Sequence, residues 1–143
     1  MKIYLAGKMG GLTFNEMNAW RKTASQKLLN ASKYSDKALH VVNPVLYYNF
    51  EEKRYQTEKE VEEFDLAHVI SSNIIIVNLD GLASSIGTII ELHDAHYHHK
   101  IPVIAFGSRE LYNDLHPWIK NDITRVERDI DGVIDYIRDF YLT

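Results

Sequence analysis

The chain of 143 residues has no cysteine, which excludes structural disulfides, thiolate catalysis and cysteine-ligated zinc. Proline is scarce, with three residues, and there is no repeat, linker or low-complexity segment to divide the chain. No apolar run approaches the length of a membrane span, and the one in the opening MKIYLAGKMGG is too short for a signal peptide. A cytoplasmic protein without a membrane partner is therefore expected. Basic residues are not in excess: 16 Lys and Arg face 20 Asp and Glu, a net charge of -4 spread along the chain. Without a basic stripe, polymeric nucleic acid is not an expected partner, whereas small anions are. With 45% apolar and 25% charged residues, one domain spanning residues 1–143 around one core is expected.

What the sequence does contain is alternation. Residues 2–6 form a short β-prone run ending at Gly7, and residues 13–30 carry Met17, Trp20, Ala24 and Leu28 at helical spacing. Residues 39–42 are a second apolar run, stopped by Asn43-Pro44, and residues 47–56 read as an exposed polar excursion. A helix is predicted over 57–71. It is followed by NIIIVNL at 73–79, apolar enough for a strand buried on both faces of a parallel sheet. Further on, the pattern predicts a helix over 87–99, a strand over 101–106, an irregular stretch around Pro117 and an edge strand at 122–126. Ile130, Val133, Ile134 and Ile137 then mark an amphipathic helix over 129–141. Strands alternating with helices at these lengths imply right-handed crossovers and an α/β doubly wound parallel sheet of five strands, flavodoxin-like (Rossmann-like) in class. In that order the first and third strands are neighbours, and the crevice at their C-terminal ends takes the ligand. The loops 7–12 and 80–87 flank it.

Several residues in and near those loops carry possible chemistry. Gly10-Gly11 lies just before a helix, where bare N–H groups suit a phosphate and Lys8 adds a charge. The spacing matches neither the dinucleotide fingerprint nor the P-loop, so a ligand-free tight turn is an equal reading. Glu91, in SSIGTIIE, also has two readings. Thr88 to Glu91 fits a capping box, as do Thr13 to Glu16 and Thr57 to Glu60. Alternatively Gly87 lets a substrate approach a carboxylate that the positive helix end keeps ionised. Asp65 falls in the apolar stripe Val61, Asp65, Val69, where a carboxylate needs a partner or a proton; the other reading is a face at the rim, with Asp65 solvated or paired with a nearby cation. A carboxylate pair across one crevice is what glycosidic cleavage uses, one group as nucleophile and one as proton donor. His93, His96 and His99 recur every three residues, which spreads them round a helix, and a solvated face is preferred to a metal site. Tyr4, Tyr47, Tyr48 and Phe50 suit either base stacking or the core.

Taken together, KIYLAGKMGG, EFDLAHVISSNIIIVNL, SSIGTIIE and HHKIPVIAF resemble the nucleoside 2-deoxyribosyltransferase family, which includes the 2'-deoxynucleoside 5'-monophosphate N-glycosidases. The resemblance runs over most of the chain and implies a flavodoxin-like domain working by retaining double displacement, without cofactor or metal. It implies Glu91 as the nucleophile, Asp65 as the acid that contacts the sugar and assists proton transfer, and Tyr4 as the group orienting Glu91. Ser85 stands where the transferases usually have an aspartate and the monophosphate glycosidases a phosphate-contacting serine. Gly7, Lys8, Gly10, Gly11 and Gly87 complete the implied substrate site. The Gly10-Gly11 loop is shorter than in the glycosidases and lacks their serine and arginine. LHPWI resembles the stretch by which a neighbouring subunit completes the site, with His116 in place of asparagine or serine, so a homodimer or higher homo-oligomer is implied. DFYLT lacks the transferases' terminal tyrosine. The implied partner is a small nucleoside or nucleotide. Three other readings stay open: base exchange between deoxynucleosides, nucleotide binding without turnover, and NAD cleavage by a TIR-like enzyme, which SSIGTIIE fits less well.

Overall fold

The run of β-branched residues around Ile74 has no polar face to offer water, and it becomes the centre of the sheet. In the computed structural model, which describes residues 1–48 and 51–143, five strands pair in parallel in the order β2-β1-β3-β4-β5. They are β1 (Lys2–Ala6), β2 (His40–Val42), β3 (Ile74–Asn78), β4 (Val103–Phe106) and β5 (Arg125–Glu127). The helices are α1 (Phe14–Ser32), α2 (Glu58–Ile70), α3 (Ile86–His93), α4 (Arg109–Asn113), α5 (Pro117–Asn121) and α6 (Ile130–Tyr141). This is the doubly wound α/β order expected, with β1 beside β3 in the register Tyr4 to Ile75 and Leu5 to Ile76.

Alternation along the strands makes two cores. Ile3, Leu5, Ile74 and Ile76 pack with Ala24 and Leu28 of α1 and Ile134 and Ile137 of α6. Tyr4, Ala6, Ile75 and Val77 face the other way, against Val69 of α2 and Leu92 of α3. Each fully buried aliphatic side chain contributes roughly 1.5–3 kcal/mol, so both faces strongly resist a one-residue slip in register. No described helix is long and apolar enough to cross a membrane.

Against the one core expected the sheet separates two, and α4 forms where no element was expected; three further departures are local. The helix expected over 87–99 is α-helical only to His93 and continues as a single π turn, Asp94–His98. Its end is closed by Lys100 at φ 58°, with Lys100 N donating to His96 O and Ile101 N to Ala95 O. Pro117 starts a helix where an irregular stretch was expected, because proline at a first helical position gives up an N–H that has no partner there anyway. Finally, the last strand begins at Arg125 rather than at 122.

Candidate active site

The crevice lies at the C-terminal ends of β1 and β3, where three elements each deliver one acid or phenol. Tyr4, placed on β1 by the strand's alternation, is buried and donates its hydroxyl to Glu91 Oε1 at 3.2 Å. Glu91 is half-buried on the second turn of α3. Asp65 projects from α2, also half-buried, and accepts a hydrogen bond from the Tyr48 hydroxyl on Oδ1 at 2.5 Å.

The capping reading of Glu91 is overturned. The residue before α3 is Ser85, so Thr88 is the third residue of the helix, and its hydroxyl shares a 2.8 Å hydrogen bond with Ser85 Oγ. Glu91 therefore lies past the first turn, too far along to cap and too far to be governed by the helix end. The box at Thr57 and Glu60 is complete in both directions, and Thr13 accepts from Glu16 N. The expectation that the helix end keeps Glu91 ionised fails for the same reason. Burial, and next the neighbouring Asp65, push its carboxyl up to about 8, while the Tyr4 hydrogen bond and the Arg21 charge pull it down. Asp65 is also raised, by burial, with the Tyr48 hydrogen bond opposing. Burial and the two carboxylates drive the Tyr4 hydroxyl far above its ordinary value, so it remains a proton donor.

Two openings share this acid pair. One, about 270 Å³, is lined by Val61, Glu62, Leu66 and Ile90 together with Asp65 and Glu91. The other, about 370 Å³, runs from the same two acids past Gly7, Lys8, Gly10 and Ser85. Gly87 lines both, and a Cβ added there would meet nothing within 4 Å, so the approach to Glu91 stays clear. Lys8 lies across Gly81, where a Cβ would come within 2.6 Å of the Lys8 Cδ; the glycine at φ 71° makes room for that stem. Gly11 sits in the turn closed by Leu12 N to Met9 O and does not line either opening.

The remaining candidates lie elsewhere. His116 is exposed at the start of α5, its Nδ1 accepting from Trp118 N, and lines neither opening within one chain. His93 bonds to Asp122, while His96 and His99 bond through Nδ1 to the carbonyls of Ile101 and Asp94. Among the described residues no group of three or more His, Asp or Glu is placed to hold a metal ion. Tyr47 stacks on His68 at 5.1 Å, and Phe50 lies outside the described residues.

Sequence reasoning passed over Arg21. Fully buried on α1, it donates to Leu5 O at 3.2 Å, Met17 O at 2.6 Å and Gly7 O at 2.9 Å. Hydrogen bonds from a charged donor are worth roughly 1.5–3 kcal/mol each, and these tie the end of β1 to α1. The Trp20 ring, and next the guanidinium, explain Gly7, where a Cβ would stand 3.0 Å from Trp20 and 3.3 Å from Arg21. The signal was present, since Arg21 falls four residues after Met17 and three before Ala24 in the apolar stripe.

No family model matches the chain, and no curated protein matches it in sequence. Solved structures do match. A conserved protein from Enterococcus faecalis V583 superposes with a TM-score of 0.77 at 18% identity, over 96% of this chain and 97% of that one. A 2-deoxyribosyltransferase from Bacillus psychrosaccharolyticus gives 0.66 at 21% identity, over 95% and 92%. A CMP N-glycosidase from Clostridium botulinum gives 0.51 at 14%, over 99% and 100%. At these identities the likeness is one of fold, and the fold is the flavodoxin-like α/β architecture that the sequence resemblance implied, shared with a deoxyribosyltransferase and an N-glycosidase.

Proposed function

We propose that the chain cleaves the N-glycosidic bond of 2'-deoxynucleoside 5'-monophosphates through a glycosyl ester on Glu91. The observation that carries this reading is the pair Glu91 and Asp65 facing the same two openings, with Tyr4 bonded to one Glu91 oxygen. In the first step a Glu91 oxygen bonds to the anomeric carbon as the bond from that carbon to the base breaks. The electron pair leaves on the base nitrogen, which takes its proton from the Asp65 carboxyl. In the second, water attacks the same carbon and gives its proton to the Asp65 carboxylate, as the ester bond returns its electrons to Glu91. Free base and 2-deoxyribose 5-phosphate result. Splitting one displacement in two keeps a carboxylate beside the developing positive charge in both.

Beside the acid pair, Ser85, Lys8 and Gly10 bring a hydroxyl side chain, an ammonium and glycine backbone to the lining of one opening, which suits a 5'-phosphate. Base exchange by a deoxyribosyltransferase is the second reading, favoured by the likeness to the Bacillus psychrosaccharolyticus transferase. The protein is proposed to be cytoplasmic and to work as a homodimer or larger homo-oligomer. The openings are lined in part by exposed Ile86 and Ile90, and Tyr97 and Trp118 are further exposed aromatics of the chain.

Incubation with deoxynucleosides and their 5'-monophosphates, each with and without a second free base, separates the readings by chromatography with mass detection. Free base and deoxyribose 5-phosphate, unaffected by the second base, are expected. A new nucleoside would establish exchange instead, and ligand binding without base release would leave a non-catalytic nucleotide-binding protein.

A further inference from the structure

Asp65 is held from behind by a group that the reaction above does not use. Tyr48 follows the 3-10 turn Pro44–Tyr47, and its hydroxyl donates to Asp65 Oδ1 at 2.5 Å. The ring packs edge-on to Tyr55 at 6.4 Å between centroids and 84°. Tyr48 also lines a separate cavity of about 630 Å³, with Phe14, Tyr47, Arg54 and Tyr55, that neither acid reaches. It thus touches both that cavity and the Asp65 carboxylate. Filling space needs only the ring; the hydroxyl adds something further. A carboxylate that accepts a phenolic hydrogen bond loses much of its freedom to rotate, and one of its two oxygens is taken.

We propose that Tyr48 is a positioning residue for Asp65, anchoring the carboxylate through Oδ1 so that Oδ2 is the oxygen turned to the sugar and the leaving base. This rests on the function proposed above. The other groups around Asp65 do not do the same work. Glu58 and Glu62 of its own helix and Glu91 of α3 are acids, and Lys8 lies across the opening on Gly81. The Tyr4 hydroxyl is committed to Glu91. Tyr48 is the phenol that opposes the effect of burial on Asp65, by stabilising the ionised carboxylate.

Tyr48→Phe keeps the ring and removes only the hydroxyl. It is expected to lower kcat about tenfold with KM changed less than about twofold, since a positioning contact acts on the chemical step more than on binding. The titration of the Asp65 carboxyl, followed by carbon-13 NMR and assigned with Asp65→Asn, is expected to move to higher pH. In the Asp65→Asn background Tyr48→Phe should cost nothing further, because the contact it removes is already altered. Wild-type kcat with an unmoved Asp65 titration would overturn the proposal. So would a loss of equal size in both backgrounds, which would mark Tyr48 as merely structural. If the wild-type protein releases no base, the proposed function fails on its own. The Asp65 titration then decides the coupling, a shift supporting it and no shift overturning it.

Discussion

At Glu91 the fold works against its own stability. A carboxyl that titrates near 8 in the folded chain and near 4.5 when free binds its proton more tightly folded than unfolded. Stability from this group is therefore present at low pH and lost as the pH rises from 4.5 through about 8. Glu91→Gln should remove the penalty. Urea denaturation at about pH 9 is expected to find that variant more stable by about 1–2 kcal/mol after solvent screening, with the difference vanishing in acid. The same variant should lose base release by about a thousandfold or more, because an amide cannot form the ester. For the wild type, kcat/KM is expected to climb with pH through about 8, as Glu91, the proposed nucleophile, ionises. A flat profile would mean that another group limits the reaction. Ser85→Asp should selectively weaken cleavage of monophosphates by charge repulsion, with nucleosides as the control. Equal loss on both would show that Ser85 does not read the phosphate. Asp65 and Arg21 illustrate how far such residues are legible. Each is a charge in an apolar stripe, visible as an anomaly in sequence, yet neither partner could be read there. Asp65 is met by Tyr48, 17 positions away, and Arg21 by carbonyls at the end of a strand.

At the scale of elements, each helix delivers a residue only as well as its start is fixed. The two-way capping box at Thr57 and Glu60 sets the register of α2, and with it the placement of Asp65 two turns on. Thr57→Ala is expected to cost about 1 kcal/mol, seen as a drop of a few degrees in melting temperature, and to lower kcat through Asp65. A stability loss with unchanged kcat would mean that packing alone holds α2. This box was readable because its residues are three apart and contiguous with an apolar run. The pattern at Thr88 and Glu91 is the same in letters, and it misled because the helix begins two residues before Thr88, at Ile86. Hydrophobic spacing likewise located the strands at 74–78 and 103–106 to within a residue or two. It could not foresee the π turn at Asp94–His98, whose periodicity over five residues is not separable from 3.6.

For the molecule as a whole, the β2-β1-β3-β4-β5 order puts the switch in winding direction between β1 and β3, and Tyr4, Asp65 and Glu91 converge there. The crevice opens towards Ile86 at 74% exposed and Ile90, and Trp118 is 77% exposed on neighbouring α5, apolar area that the single chain leaves to water. Light scattering on the eluted protein is expected to find a homo-oligomer, and Trp118→Glu to yield monomers with reduced turnover. A fully active wild-type monomer would contradict a shared site. The central claim is that Glu91 becomes covalently bound to the sugar. It is tested most directly with a 2'-deoxy-2'-fluoroarabinonucleoside 5'-monophosphate, whose fluorine slows breakdown of the ester, followed by intact mass measurement and peptide mapping. A gain of one fluorosugar phosphate on the peptide containing Glu91, absent from Glu91→Gln, is the predicted result. An adduct on another residue, or base release with no adduct at Glu91 in either protein, would contradict it.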